Sequence, residues 1–116
     1  MSSSEAPGRQ PYITVLLFGS TADSDDYRSL YREDVTLLYG VSQDDAQRRA
    51  EEHGRSLETT FANDRGERIT WTLLEVVDVA PVLEDRFDED AELYSRHFRD
   101  VDAYRSFDPR LRGEKL

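Results

Sequence analysis

The stretch over residues 63–79 constrains the fold of this chain more than any other part of the sequence. It begins with the turn residues Asn-Asp-Arg-Gly and continues as a long alternation of apolar and polar side chains around Trp71. Successive side chains of a strand point to opposite faces, so Ile69, Trp71 and Leu73 share one face. This pattern predicts a turn followed by a long strand, with Trp71 in the core. Beyond Glu75 the apolar pattern becomes two-sided, which predicts cover on both faces or a β-bulge.

Two other runs of β-forming residues come earlier in the chain. Residues 12–18 are apolar and lie between a proline and a glycine, which predicts the first strand. Residues 30–41 predict the second strand, in which Val35, Leu37 and Tyr39 alternate onto one face. We expect these two strands to form a hairpin.

A helix is predicted to begin after Ser42, a good N-cap residue that precedes two aspartates in the first turn. At 100° per residue one narrow stripe collects the small and apolar side chains. Its members are Ala46, Ala50, His53, Gly54, Leu57 and Phe61. A glycine inside a helix costs about 1 kcal/mol relative to alanine. We therefore expect Gly54 to be there because the helix backbone packs closely on a sheet.

The remaining chain divides into one more element and two ends. Residues 91–98 alternate and predict a fourth strand, with a helix as the alternative, and a short helical turn is expected around residues 101–104. The small polar residues at 1–10 predict a disordered arm. Residues 100–116 predict a partly disordered extension, which leaves a single α+β domain at residues 11–99.

The predicted element order is β-β-α-β-β, which belongs to the α+β class. A right-handed connection through the helix places the third strand beside the first and antiparallel to it. The sequence therefore predicts a four-stranded antiparallel sheet in the order 2-1-3-4, with one helix packed on one face.

Several segments resemble those of a known family. They are residues 45–54, the turn at 63–66, the Trp71 strand that ends at Val79, and residues 92–98, which read Glu-Leu-Tyr-Ser-Arg-His-Phe. The most specific are Glu-x-Tyr-Ser-Arg and Gly-x-x-x-x-Trp. In these segments the chain is similar to a family of small bacterial proteins called domain of unknown function 4288.

The resemblance covers roughly residues 12–98, most of the chain. The chain departs from the family pattern at Pro11-Tyr12, where an aromatic pair is usual, and at Ala80-Pro81. The family name implies no activity. The resemblance therefore implies a fold and carries over no catalytic residue.

Composition restricts the classes of partner and the compartment. The chain has a net charge of -10, and such a surface repels nucleic acid and anionic membranes. It has no cysteine, no apolar run long enough to span a membrane and no signal-peptide core, so we expect a cytoplasmic protein. Of its 15 basic residues only Lys115 is a lysine, which also fits a GC-rich genome or a salt-adapted proteome as the source of the acidity.

No catalytic motif stands out in the sequence. There is no glycine-rich phosphate loop and no nucleophile elbow, and His53 and His97 lack metal-ligand spacing. The acidic run at residues 84–92 lacks the spacing of an EF-hand loop. We expect no enzyme activity, no catalytic residue, no metal and no cofactor.

The best candidate for binding is the predicted fourth strand. Glu92, Tyr94 and Arg96 would share one of its faces, with His97 next to them. Arg96 could bind a carboxylate or another anion through two parallel hydrogen bonds. The alternative is a cross-strand ion pair, with Tyr94 packed on the arginine stem.

Three functional hypotheses follow. The first is a non-enzymatic binding or regulatory module, for example an immunity-like or inhibitor-like protein that masks a basic protein partner. The alternative is a small-molecule-binding domain or enzyme that uses the sheet face around Tyr94, Arg96 and His97. The third is a homo-oligomer, because strands two and four are predicted sheet edges and exposed edges pair with other chains.

Overall fold

The computed structural model describes residues 8–113, and its architecture is α+β. The predicted arm falls mainly on residues 1–7, which lie outside the described residues, as do residues 114–116 of the predicted extension. In chain order the elements are β1 (Gln10–Ala22), β2 (Tyr31–Gly40), α1 (Gln43–Ser56), β3 (Thr59–Ala62), β4 (Arg68–Pro81), α2 (Val101–Phe107) and a 3₁₀ helix (Pro109–Arg112). No helix within the described range is long and apolar enough to cross a membrane.

The strands form one antiparallel sheet in the order β2-β1-β4-β3. The prediction that the Trp71 strand lies antiparallel beside the first strand is confirmed, since β4 pairs with β1 along most of its length. The predicted order 2-1-3-4 is wrong in its last position. The edge next to β4 is formed by Thr59–Ala62, and residues 91–98 are not a strand.

The turn after β3 explains this edge. The side-chain oxygen of Asn63 accepts hydrogen bonds from the backbone N–H groups of Arg65 and Glu67, at 3.0 and 2.9 Å. Gly66 has a φ of 79°, which few other residues adopt. The turn therefore folds β3 directly back onto β4, whereas residues 91–98 would have to return to the sheet through a longer acidic connection.

The predicted helical stripe continued too far. The helix ends at Ser56, and the N–H of Leu57 closes its last turn on the carbonyl of Gly54 at 3.1 Å. Leu57 and Phe61 are therefore not helical. The residues that follow are two threonines and Phe61, which favour an extended backbone and pair with β4.

The C-terminal part of the described chain holds one predicted element. The helical turn expected at residues 101–104 is confirmed as α2, and the Asp100 carboxylate caps it by accepting a hydrogen bond from the N–H of Ala103 at 2.9 Å. Residues 82–100 contain no helix or strand.

The main core lies between α1 and one face of the sheet. It is built by Tyr12, Leu16 and Phe18 of β1, Ala46 and Ala50 of α1, and Leu73 and Val79 of β4. Trp71 packs against this core and is half-buried, so its predicted inward position is confirmed. The guanidinium of Arg32 on β2 lies 4.9 Å from the Trp71 ring centre and also binds Asp34 at 2.9 Å.

Two glycines let α1 lie close to the sheet. A Cβ on Gly54 would be 2.8 Å from a methyl group of Leu73, and one on Gly40 would be 3.0 Å from the backbone nitrogen of Ala46. Contacts under 3.0 Å force a neighbouring atom to move. The close packing expected for Gly54 is therefore confirmed.

Side chains at the start of α1 satisfy its free N–H groups. The Ser42 hydroxyl accepts a hydrogen bond from the N–H of Asp45 at 3.1 Å, and the Asp45 carboxylate accepts one from the N–H of Val41 at 2.9 Å. That bond, together with those from Arg48 and Arg49, lowers the pKa of Asp45 to about 2. The helix start is thus fixed by an ionised aspartate.

We expect Gly40→Ala to destabilise the protein by roughly 1–3 kcal/mol, because the added methyl group meets the backbone of α1. Gly54→Ala is the matched variant. Its methyl group meets only the end of a leucine side chain, and the substitution gains about 1 kcal/mol in helix propensity. Urea unfolding should therefore show a larger loss for Gly40→Ala, and an equal or smaller loss would contradict the close approach at Gly40.

We expect Asp45→Asn to lower the melting temperature near pH 7. The pKa of Asp45 is lower in the folded protein than its ordinary value of 3.8, so its stabilisation is present above about pH 4 and is lost as the pH falls toward about 2. The difference from wild type should shrink over that range. Asp44→Asn, which changes the same chemical group in the same helical turn, serves as the control and should not reproduce this pH dependence.

Candidate binding face

The sheet has a second face, opposite α1, that no helix of the described chain packs against. We call it the open face. It carries Ile13, Val15 and Leu17 from β1 and Tyr31, Val35, Leu37 and Tyr39 from β2. The predicted grouping of Val35, Leu37 and Tyr39 on one face follows the register of this hairpin.

Apolar side chains on the open face are unequally buried. Ile13 and Val15 of the central strand are each only 3% exposed, whereas Val35 and Leu37, their partners on the edge strand, are 63% and 41% exposed. Strand β2 thus presents a row of solvent-facing apolar side chains next to a closed apolar floor.

Acidic side chains border this apolar row. Leu17 is paired with Glu33 on one side and Glu75 on the other, and Val15 is paired with Val35 and Asp78. Cross-strand partners lie on the same face of a sheet, so all three carboxylates belong to the open face. Negative charge is therefore concentrated next to its exposed apolar residues.

Strand β4 contains two register shifts opposite β1, which leave Leu74 and Val77 without a directly paired residue. Both side chains are exposed. A terminal methyl carbon of Leu74 lies 2.8 Å from where a Cβ on Gly19 would be, so Leu74 reaches over the central strand. Of the two explanations that the two-sided apolar pattern left open, cover on both faces or a bulge, the strand has the bulge, and its two bulges add apolar residues to the open face.

A groove runs between the open face and the C-terminal segment. Its volume is about 540 Å³, in scale with small-ligand sites, and we call it the aromatic groove. Its apolar lining comes from Val77, Phe98, Ala103, Tyr104 and Phe107, and its polar lining from Glu33, Arg96, Arg99 and Asp100. The rings of Phe98 and Tyr104 stack with their centres 4.9 Å apart, which ties α2 to the segment before it.

Tyr94 holds the C-terminal segment against the sheet. Its hydroxyl donates a hydrogen bond to the Asp78 carboxylate. Burial and the Asp78 carboxylate raise the pKa of Tyr94, while Arg96 acts in the opposite direction. A second tie is the hydrogen bond from the N–H of Leu83 to the carbonyl of Leu93, at 3.3 Å.

The structure brings two of the four predicted site residues, Tyr94 and Arg96, close together. Arg96 lines the aromatic groove, and Tyr94 is half-buried on Asp78. Glu92 and His97 are exposed and line neither this groove nor the other cavities described below. Because residues 91–98 are not a strand, the expected shared face of Glu92, Tyr94 and Arg96 does not form, although a binding role for the four residues stays a prediction.

The sequence analysis missed the aromatic lining of the groove. Phe98, Tyr104 and Phe107 lie in a stretch that is otherwise polar, and the last two are spaced to share one side of a helix. Aromatic residues that recur in such a polar stretch were the available signal. Val77 was visible as part of the two-sided pattern, but its position depends on the bulge.

Comparison with known proteins identifies a family match. A protein-family model described as "Domain of unknown function (DUF4288)" matches residues 11–95, which is most of the chain. No curated protein and no solved structure matches the chain. The match covers α1 and all of the sheet except Gln10, and it ends before Phe98, Tyr104 and Phe107 of the aromatic groove.

We expect Tyr94→Phe to loosen the C-terminal segment, because it removes the hydrogen bond to Asp78 and keeps the ring. A loss of about 1 kcal/mol would speed amide exchange at Leu83 roughly fivefold. Tyr104→Phe is the matched control, since it deletes a hydroxyl from a ring held by stacking. Hydrogen exchange followed by NMR measures both variants, and equal protection of Leu83 in Tyr94→Phe and wild type would refute the role of Tyr94.

Proposed function

Since this chain belongs to the DUF4288 family, whose description names no activity, we propose its function from its surfaces: it is a non-enzymatic binding module. Its partner is a basic protein that docks on the open face, as an immunity-like or inhibitor-like protein would require. The observation that carries this proposal is the row of exposed apolar side chains on β2, bordered by carboxylates and next to the aromatic groove.

The apolar row supports a macromolecular partner. Contiguous exposed apolar side chains on a small protein mark interaction surfaces, whereas single ones are common everywhere. Tyr31, Val35 and Leu37 lie on the open face of the same strand, and all three are exposed. Glu33 is the open-face residue between Tyr31 and Val35. A partner that covers them would bury apolar area that the isolated chain leaves in water.

The aromatic groove supplies an anchor point. Interfaces gain most of their binding energy from a few side chains that enter well-packed pockets, and aromatic residues are enriched there. The walls formed by Val77, Phe98 and Tyr104 suit one large apolar side chain of a partner. An open groove accepts such a side chain from a protein surface.

Charge supports a basic partner. Glu33, Glu75 and Asp78 lie on the open face, and the whole chain has a net charge of -10. Complementary charge accelerates association and disfavours partners of like charge. A partner with lysine or arginine around an apolar residue meets both features of this surface. For the same reason we propose that nucleic acid and anionic membranes are not its partners.

A second candidate function follows from the position of Arg96. The aromatic groove has a volume of 540 Å³, within the roughly 300–1,000 Å³ of small-molecule sites. Arg96 and Arg99 both line it, and a guanidinium binds carboxylates well. An apolar carboxylic acid is therefore the small molecule that this groove would take.

The cytoplasm remains the compartment that we propose, because the chain has no cysteine.

We expect the tagged protein to capture a basic protein from a lysate of its own organism at about 0.1 M salt and to lose much of it near 1 M, where the Debye length falls from roughly 10 to 3 Å. With the purified pair, Val35→Asp should weaken binding at least tenfold, because a buried unpaired carboxylate opposes docking. Val41→Asp is the matched control. Val41 is similarly exposed, 56% against 63%, but lies in the connection to α1.

Equal binding by Val35→Asp and Val41→Asp would contradict docking on the open face. Light scattering on the protein alone tests whether a second copy of this chain, instead of a basic partner, occupies the open face. A particle of twice the monomer mass that Val35→Asp dissociates would assign the open face to a second copy of this chain, and it would overturn the proposal of a basic partner.

A further inference from the structure

We propose that a second site, separate from the aromatic groove, binds a small organic anion with a carboxylate or phosphate group. The site is a cleft at the end of the sheet where β1 begins and β2 ends, next to the last turns of α1. We call it the arginine cleft. It is lined by Arg9, Leu38, Tyr39, Arg49, Glu52 and His53. It shares no lining residue with the aromatic groove.

The charge of the side chains that line the cleft is opposite in sign to the net charge of the protein. The chain has a net charge of -10, yet two arginines and a histidine converge on one cavity of about 480 Å³. Arg49 and His53 are four residues apart on α1 and therefore project from the same side of the helix. Arg9 reaches the cavity from the start of β1. The two guanidinium groups that share the cavity repel each other, so an anion between them would be favoured.

Arg9 is the least satisfied of these groups. Its Nε is buried and has no hydrogen-bond partner among the described residues. Its guanidinium carbon lies 5.6 Å from the centre of the Tyr39 ring, which places the group over an aromatic surface. A buried donor without a partner is unusual in folded proteins, so Arg9 keeps donor capacity that no described residue uses.

Arg49 is held in place by its inner nitrogen. Its Nε donates to the Asp45 carboxylate at 3.1 Å, and no described residue accepts a hydrogen bond from its two terminal nitrogens. The same carboxylate is fixed by the start of α1. Arg49 is therefore orientated by Asp45 while its outer nitrogens remain available in the cleft.

Glu52 is the acidic residue of the lining, and it has a cation of its own. Its carboxylate accepts a hydrogen bond from Arg48 at 2.8 Å, and Arg48 is not part of the lining. Glu52 therefore does not have to neutralise Arg9 and Arg49. The charge that remains in the cleft is positive.

The chemistry of the lining indicates the class of ligand. The planar guanidinium group binds carboxylate and phosphate oxygens through paired hydrogen bonds. A single water or ion occupies about 30 Å³, far less than the 480 Å³ of this cavity. Leu38 and Tyr39 provide apolar wall for the rest of a molecule. These features together fit an organic anion with an apolar or aromatic portion.

The test uses phenyl phosphate, benzoate and inorganic phosphate as probes, followed by two-dimensional NMR of the full chain at constant ionic strength. We expect saturable shifts at Leu38, Tyr39 and the last turns of α1 with phenyl phosphate or benzoate. The organic anion that binds more tightly identifies the head group. Inorganic phosphate should bind at least tenfold more weakly, since it makes no contact with the apolar wall.

Variants then test the assignment of residues. Arg9→Gln and Arg49→Gln should each weaken binding of the better probe at least tenfold, and Arg49→Lys, which keeps the charge without the paired donors, should lie between Arg49→Gln and wild type. Arg55→Gln is the matched control, because Arg55 is on the same helix, pairs with Glu51 at 3.0 Å and lies outside the cleft. It should change binding less than twofold.

Three results would overturn the proposal. One is the absence of saturable shifts at millimolar concentrations of every probe. Another is an equal loss in Arg55→Gln and Arg49→Gln, which would indicate general attraction by surface charge. The third is equal binding of inorganic and phenyl phosphate, which would exclude an organic ligand. Unchanged amide spectra of the free variants verify that each one is folded.

Discussion

The close approach of α1 to the sheet is the constraint on which the other features of this structure depend. The helix meets the sheet at positions without a side chain or with only a methyl group: Gly40, Ala46, Ala50 and Gly54. Because the backbones lie so near, large side chains from the strands, such as Phe18 and Leu73, can fill the remaining space. One helix is then enough to close one face of a four-stranded sheet.

The use of a single helix on one face of the sheet has a consequence for the opposite face. Residues 8–113 contain one long helix, which packs on the core side. Among these residues the open face is covered only by its own side chains and by the C-terminal segment. The central strand closes its part of this face through Ile13 and Val15, while the edge strand leaves Val35 in water. The region that we propose to bind a partner is thus the part of the sheet that the described residues leave exposed.

The sequence predicts those parts of the fold that depend on local patterns. The alternation around Trp71 identified β4, and Ser42 identified the start of α1. The right-handed connection through the helix then placed β4 beside β1. Its failures came where two local patterns compete. Phe61 fits a helical stripe and also a strand, and the turn at Asn63 decides for the strand because it folds the chain back onto β4. Residues 91–98 alternate like a strand, but part of the β4 edge that they would pair with is already paired with β3.

The candidate site was less predictable, because its parts meet only through tertiary contacts. Arg96 was identified from its chemistry, whereas Phe98 and Tyr104 gain their meaning from the stack that they form with each other. In the arginine cleft, Arg9 lies in a stretch of small polar residues that reads as a disordered arm, and His53 reads as a residue at the border of a helical stripe. Nothing in their spacing along the chain indicates that β1 brings them together.

Strand β2 combines two features that each favour association with other chains, and they lie on different sides of the strand. Its outer edge has backbone groups that another strand could pair with, and its open face has exposed apolar side chains. Arg32 and Asp34 form an ion pair along this strand, so the edge strand carries charged side chains, which disfavour pairing with another strand. The apolar row on the open face is thus available for the partner that we propose, while the charges on β2 oppose extension of the sheet through its edge.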